Sequence, residues 1–324
     1  MSAAIRLSLP ALLVLVVLLA SPTRGAQLPS SLSGPVLGFV FDSTGGKLRP
    51  VRGILGSATV GEPVDTGFGI SKVLTLDGRH AIAETDNNAD LVLITLDAGK
   101  ASTMAIPGFP VNPTRGVASL QRTAAAFYYS APQQIRVVAG LPQDPRHIAT
   151  FQVNKPITQM AVSDDGALLV FAAGEPDGEA IYTLTDSSPN PRFVTSTLSV
   201  SGIVLTRNGD AIVTDRAANE VFAIWDAAGG AQRKLLVDAE TVSNPGGVAV
   251  SSDNRTYIAS GSSVIVLDPG GRYLRSLRCN CSVAGFEPLR ESVFRITEGI
   301  TQTIFLLDAG SAEERILFVP PPLN

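Results

Sequence analysis

The stretch ISKVLTLDGRHAIAETD (residues 70–86) has two close counterparts further along the chain, ITQMAVSDDGALLVFAAGE (157–175) and VSGIVLTRNGDAIVTD (200–215). Each consists of an apolar run that leads to a serine or threonine, a short tip that ends in glycine, and a second apolar run. Short apolar runs on either side of an Asp-Gly or Asn-Gly tip are typical of β-hairpins. The pattern therefore predicts a hairpin that recurs along the chain.

The hairpin tips are separated by a nearly constant interval. From Gly78, steps of 44, 44, 43 and 45 residues lead to Arg122, Gly166, Gly209 and Asn254. Two further apolar runs follow each hairpin, and the third run usually ends in Asp, as in SVIVLD and TIFLLD. Four short strands in about 43 residues is the size of one propeller blade. The sequence therefore predicts an all-β fold, a β-propeller of four-stranded antiparallel blades.

Two units carry a resemblance to a known family. GIVLTRNGDAIVTDRAANEVFAIWD (residues 202–226) and GVAVSSDNRTYIASGSSVIVLD (247–268) resemble the repeats of the YVTN/NHL-type and lactonase-like β-propellers. The resemblance covers residues 70–320 and implies that the first strand of each unit lies innermost. It implies no single activity, because this architecture serves scaffolds, sensors and several enzymes.

The number of blades depends on the two ends of the repeat array. A degraded sixth copy occupies residues 283–297, and the N-terminal segment LGFVFDSTGGKLRPVRG (37–53) aligns with the third and fourth strands of the unit at 263–278. We expect this N-terminal hairpin to close the ring, since an open ring would expose strand edges. Six units plus the hairpin predict seven blades, with six as the alternative.

Residues 1–25 have the features of an export signal. Arg6 precedes the apolar run LPALLVLVVLLA (9–20), and small residues allow cleavage after Gly25. The run is shorter than the about 20 residues that a membrane span needs. The sequence therefore predicts a secreted or periplasmic protein without a transmembrane span. The predicted mature chain divides into a linker, a single propeller domain and a C-terminal tail: residues 26–36, 37–320 and 321–324.

Charge and histidine content exclude several classes of function. The full chain has a formal net charge of −4, and the predicted mature chain has 23 − 29 = −6, because the signal contains two arginines and no acid. Without a basic stripe to neutralise phosphates, a nucleic-acid partner is excluded. The two histidines, His80 and His147, leave few ways to build a Ser-His-Asp triad. We expect a monomer.

Four of the six units place a carboxylate where the second strand ends, namely Asp86, Glu175, Asp215 and Glu298. Repetition around an axis would arrange these side chains in a ring on one face of the propeller. Such a ring predicts an entrance for Ca²⁺, which takes several oxygen ligands, or for a sugar. The alternative is that each acid caps the turn that follows it, and the family resemblance supports this alternative because the acid is part of the repeat.

The two cysteines lie close together in the stretch RCNCS, as Cys279 and Cys281. An oxidising compartment favours a disulfide between them. Two unbonded thiols are the alternative, and a metal site is disfavoured because zinc takes four ligands.

Two functions are consistent with these observations. The first is an exported, non-catalytic propeller that binds a protein, peptide or glycan through a loop-lined face. The second is a metal-dependent, lactonase-like hydrolase that uses Asp86, Glu175, Asp215 and Glu298 as ligands of a central divalent cation. The first is preferred, because the carboxylates occupy equivalent positions whereas a catalytic centre is normally asymmetric. No cofactor is evident from the sequence, and Ca²⁺ is the one that the second function would need.

Overall fold

The computed structural model describes residues 34–321, except for residue 87, residues 98–99, residues 298–302 and residue 312. The described residues contain no α-helix, and their strands, β1–β27, form seven antiparallel sheets. The prediction of an all-β chain is therefore confirmed. The predicted export signal (residues 1–25) and most of the predicted linker lie outside the described residues.

The first sheet, blade 1, has three strands, β1 (Val36–Asp42), β2 (Lys47–Ile54) and β3 (Ser57–Val60). The predicted N-terminal hairpin corresponds to β1 and β2, and β3 is one strand more than the sequence indicated. Two glycines make the second turn possible, since Gly53 and Gly56 have φ angles of 118° and 89°, a region that other residues rarely adopt.

Six four-stranded sheets follow, and in each of them consecutive strands are neighbours. Blade 2 contains β4 (Ile70–Thr75), β5 (His80–Thr85), β6 (Asp90–Asp97) and β7 (Lys100–Pro110), and blade 3 contains β8 (Arg115–Ala118), β9 (Ala124–Tyr129), β10 (Gln134–Ala139) and β11 (Arg146–Gln152). Blade 4 contains β12 (Ile157–Val162), β13 (Leu168–Glu175), β14 (Gly178–Thr185) and β15 (Ser188–Thr197), and blade 5 contains β16 (Val200–Leu205), β17 (Ala211–Asp215), β18 (Glu220–Trp225) and β19 (Gln232–Val237). Blade 6 contains β20 (Pro245–Val250), β21 (Thr256–Ser260), β22 (Ser263–Leu267) and β23 (Tyr273–Arg278), and blade 7 contains β24 (Glu287–Arg290), β25 (Val293–Arg295), β26 (Ile304–Asp308) and β27 (Arg315–Val319).

Every boundary between neighbouring blades contains its own apolar core. Six buried clusters join blades 1 to 7 in sequence. A seventh cluster joins blade 7 back to blade 1, where Leu289 and Ile304 pack with Val40 and Val51. Seven sheets have seven such boundaries only when they form a closed circle. The chain is a seven-bladed β-propeller, and the prediction of seven blades is confirmed.

Closure between the first and last blades is achieved by side chains. Among the described residues, no strand of blade 7 pairs with a strand of blade 1. The two blades come very close at Gly38, where an added β-carbon would lie 2.6 Å from the carbonyl oxygen of Leu289. The boundary is therefore closed by apolar packing between the faces of two separate sheets, and not by one sheet that contains strands from both ends of the chain.

In blades 2 to 7 the first strands lie at the centre of the ring, as the resemblance implied. The first strands of neighbouring blades contact one another, whereas fourth strands meet fourth strands at the periphery. A central channel of about 210 Å³ is lined from the first strands of blades 2 to 7, and the described residues of blade 1 do not line it. Blades 2 and 7 meet directly instead, where the Thr75 hydroxyl donates to the Glu287 carboxylate at 2.7 Å.

Candidate functional site

The alternating direction of the strands divides the loops between two faces. In blades 2 to 7, the hairpin face carries the loops between first and second strands and between third and fourth strands. In the same blades, the opposite face carries the loops between second and third strands and those that join successive blades. The predicted carboxylates Asp86, Glu175 and Asp215 follow or end second strands, so they belong to the opposite face.

Two of these carboxylates hold the loops on which they lie. Asp215 is buried, and it accepts hydrogen bonds from the backbone N–H groups of Leu198 (2.8 Å), Ser199 (3.0 Å) and Ala218 (3.1 Å). Asp86 is exposed and accepts one from the N–H of Gly69 at 3.2 Å. The contact with Ala218, in the turn after Asp215, is of the kind that the capping alternative requires. The contacts with Leu198, Ser199 and Gly69 instead tie the acids to the loop that enters the same blade.

Glu175 has side-chain partners instead. Its Oε1 atom is 2.5 Å from the Lys155 ammonium and also accepts a hydrogen bond from the Tyr182 hydroxyl. The hydrogen bond from Lys155, followed by that from Tyr182, lowers the pKa of the Glu175 carboxyl. Its charge is thereby matched by a lysine of the loop that leads into blade 4.

The structure does not bring the described carboxylates into one cation site. Asp86, Glu175 and Asp215 belong to blades 2, 4 and 5, and Glu298 lies outside the described residues. Among the residues that are described, no group of three His, Cys, Asp or Glu side chains could hold a metal ion. Their role as a ligand ring, and with it the binding of Ca²⁺, stays a prediction.

Melting the mature protein with Ca²⁺ and with a chelator tests that prediction. A site on the folded protein that is filled at 100 times its Kd adds about 2.7 kcal/mol to the free energy of unfolding. A calcium ring should produce this gain in the wild type and lose it when the four acids are changed to amides. Equal melting temperatures in Ca²⁺ and chelator would remove the calcium hypothesis.

The hairpin face contains a cavity of about 480 Å³ at the entrance of the central channel. We call it the mouth cavity. Loops of five blades line it, and Leu120, Arg122, Val250 and Pro288 line both the cavity and the channel. Its other lining residues are Leu76, Asp77, Gln121, Thr123, Leu141, Pro142, Gln143, Arg207, Ser251, Ser252 and Glu291.

Arg122 occupies an unusual position at the tip of the β8–β9 hairpin. Its φ angle is 64°, in the left-handed region, where the equivalent tips Gly166, Gly209 and Asn254 have φ angles of 77°, 81° and 63°. Glycine and asparagine adopt this conformation readily, whereas a long side chain rarely does. The structure therefore holds an arginine in a conformation that its own backbone disfavours.

The guanidinium of Arg122 is partly withdrawn from water. It donates from Nε to the Leu76 carbonyl at 2.9 Å and from Nη1 to the Ser119 carbonyl at 2.5 Å. Burial lowers the pKa of the Arg122 guanidinium, and the charges of Asp164 and Asp77 act in the other direction. Both partners of the hydrogen bonds are neutral carbonyls, so the charge has no direct counterion among the described residues.

The sequence contains a signal for this site. Arg122 is the one member of the tip series Gly78, Arg122, Gly166, Gly209 and Asn254 that carries a charge. The predicted carboxylate ring follows the second strands and therefore lies on the opposite face, so the sequence-based hypothesis did not include the hairpin face.

Cys279 and Cys281 form a disulfide in the loop between blades 6 and 7, with Cα atoms 5.1 Å apart. The loop is also held by backbone hydrogen bonds from Cys279 N–H to the Ser262 carbonyl and from Val283 N–H to the Gly261 carbonyl, both 2.8 Å. The disulfide therefore lies on the opposite face, away from the mouth cavity.

The chain resembles known proteins in its fold. No protein-family model and no curated protein sequence matches the chain. A functionally unknown protein from Desulfotomaculum acetoxidans superposes with a TM-score of 0.59 at 16% identity, over 88% of this chain and 100% of that one. Virginiamycin B lyase from Staphylococcus aureus gives 0.52 at 11% identity, over 86% and 92%. Hydrazine synthase from Kuenenia stuttgartiensis gives 0.51 at 13% identity, over 92% and 99%.

At these identities the similarity shows the β-propeller fold alone. Within the described part of the chain, no helix has the length and hydropathy that crossing a bilayer requires.

Proposed function

We propose that the chain is an exported, non-catalytic propeller of the YVTN/NHL type that binds a protein, peptide or glycan ligand in the mouth cavity. The observation that carries the proposal is the cavity itself. Its volume of about 480 Å³ lies in the range of about 300–1,000 Å³ typical of ligand pockets. It can admit a peptide side chain with its neighbours, or a sugar unit.

The lining of the mouth cavity is suited to recognition. Leu120 and Pro142 are half-buried and offer apolar surface, while Gln121, Gln143 and Ser252 offer amide and hydroxyl groups that donate and accept hydrogen bonds. Loops of five blades contribute to it, so a ligand seated there contacts a surface that the closed ring holds in place. Side chains carried on a rigid scaffold are a common basis of binding by loops.

Blocking the cavity tests the proposal. Ser252 is exposed in the lining, and its hydroxyl lies 3.0 Å from the Ser292 hydroxyl, so Ser252→Trp should fill the space at the loss of that one hydrogen bond. Ligands selected with the wild-type mature chain from a glycan array and a random peptide library should bind this variant about tenfold more weakly or worse.

The matched control is Ser262→Trp, which adds the same side chain to an exposed loop of the same blade on the opposite face. It should retain wild-type affinity. The proposal is wrong if the libraries yield no selective ligand, or if Ser252→Trp binds the selected ligands as well as the wild type.

Export is tested separately in the cell that produces the protein. A C-terminally tagged chain should be recovered outside the cytoplasm with Ala26 as its first residue. Recovery of the uncleaved chain from the cytoplasm would contradict this part of the proposal.

A further inference from the structure

We propose that the mouth cavity recognises an oxyanion, a carboxylate or a phosphate or sulfate group, through Arg122 and Arg207. The inference rests on the proposed function only in taking the mouth cavity as a ligand site. It adds the chemical class of the group that is bound and the residues that bind it.

The first argument is the conformation of Arg122. A non-glycine residue held at positive φ costs free energy, and such residues cluster where a site needs a side chain in a set place. Glycine or asparagine would remove this cost, as at the equivalent tips of blades 4, 5 and 6. At φ 64° the side chain of Arg122 instead reaches across to blade 2, where it contacts the Leu76 carbonyl.

The second argument is the unused hydrogen-bonding capacity of this guanidinium. An arginine side chain has five N–H donors, and those of Arg122 make two hydrogen bonds, to Leu76 and Ser119. Three donors therefore have no partner among the described residues. A half-buried cation with free donors binds an oxyanion favourably, because the pair forms charge-assisted hydrogen bonds in a medium that screens them weakly.

The third argument is a second arginine on the same lining. Arg207 is exposed at the tip of the β16–β17 hairpin, and it makes no hydrogen bond or ion pair with any described residue. Two arginines from blades 3 and 5 thus line one cavity. Planar guanidinium groups match the geometry of carboxylate and phosphate oxygens.

The acids near the cavity do not neutralise both arginines. Asp77 is engaged by the His80 ring at 2.9 Å and by the backbone N–H groups of Arg79 and His80. Asp164 accepts a hydrogen bond from the Gln121 N–H at 2.6 Å. Glu291 is an exposed residue of the lining, and we expect its charge to be screened by water.

Titration of the wild-type mature chain with single anions tests the inference. Sodium phosphate, sodium sulfate and sodium acetate are added at constant ionic strength, with chloride as the balancing anion, and binding is followed by calorimetry. At least one of the three should bind saturably. Phosphate or sulfate alone would identify an ester of those acids as the ligand group, and acetate alone would identify a carboxylate.

Three variants locate the binding. Arg207→Gln should weaken the anion about tenfold, the loss expected for one hydrogen bond to a charged group. Arg122→Lys keeps the charge but not the planar fork, and it should weaken the anion to a similar degree. Arg278→Gln is the matched control, because Arg278 is an exposed arginine on the outer strand β23 that also has no partner among the described residues.

Two outcomes would overturn the inference: no saturable binding of any of the three anions, or equal affinity in Arg207→Gln, Arg122→Lys and the wild type. Since Arg207 has no partner among the described residues, its variant gives an answer even if Arg122→Lys folds poorly. Library ligands that depend on Ser252 but not on either arginine would leave the proposed function standing and reject this inference. Saturable anion binding that depends on the arginines, with no ligand selected from either library, would support this inference and reject the proposed function.

Discussion

Replacing Phe222 with alanine is expected to lower the free energy of unfolding by about 4 kcal/mol, within the range for removing a buried phenylalanine side chain. Phe222 lies in β18 with no exposed surface, and it belongs to the cluster between blades 4 and 5. Its ring is also covered by the Arg233 guanidinium, 4.4 Å from the ring centroid. Urea unfolding of the mature chain measures the loss.

Phe193→Ala is the matched control for this prediction. Phe193 lies in the outer strand β15 and is 55% exposed, so its removal should cost less than about 1 kcal/mol. If the two variants lose the same stability, the boundary between blades 4 and 5 is not packed as described.

Glu314→Gln is expected to cost about 3 kcal/mol, although it removes only one charge. The Glu314 carboxylate is fully buried and forms ion pairs with both Arg255 and Arg275 of blade 6. Breaking a buried pair by removing one partner costs about 3–5 kcal/mol. The lower end applies because the side chains of the two arginines are 31% and 40% exposed, so that water can reach them.

The neighbouring acid supplies the control. Glu313 is exposed, and Glu313→Gln changes the net charge of the protein by the same amount. Denaturant unfolding should therefore separate the two variants by most of the predicted 3 kcal/mol, roughly the cost of the broken pairs. Equal stability would show that Glu314 does not join blades 6 and 7.

The blades could be predicted because a hairpin tip is encoded locally. A glycine or asparagine in the left-handed conformation occupies the tips of blades 4, 5 and 6, and the regular spacing of the tips along the chain predicted the repeat. The third strand of blade 1 was missed because SATV, at Ser57–Val60, is short and has no counterpart in the repeat.

The candidate site could be predicted less well, because it depends on contacts between blades. The tip series shows that Arg122 is exceptional, but its contact with the Leu76 carbonyl joins residues 46 positions apart. Similarly, Glu313 and Glu314 cannot be distinguished in the sequence. Only the placement of the segment before β27 determines that the second of them is buried against blade 6.

The boundary between blades 7 and 1 differs from the other six in having no connecting loop. In the described part of the chain it has no shared strand either, so its stability comes from the side chains that pack there. A fluctuation that separates these two blades would leave every ladder of backbone hydrogen bonds intact, and local opening is easiest where the fewest such bonds are lost. Because apolar association weakens on cooling, the circle should become easier to open at low temperature and should close again on warming without any blade refolding.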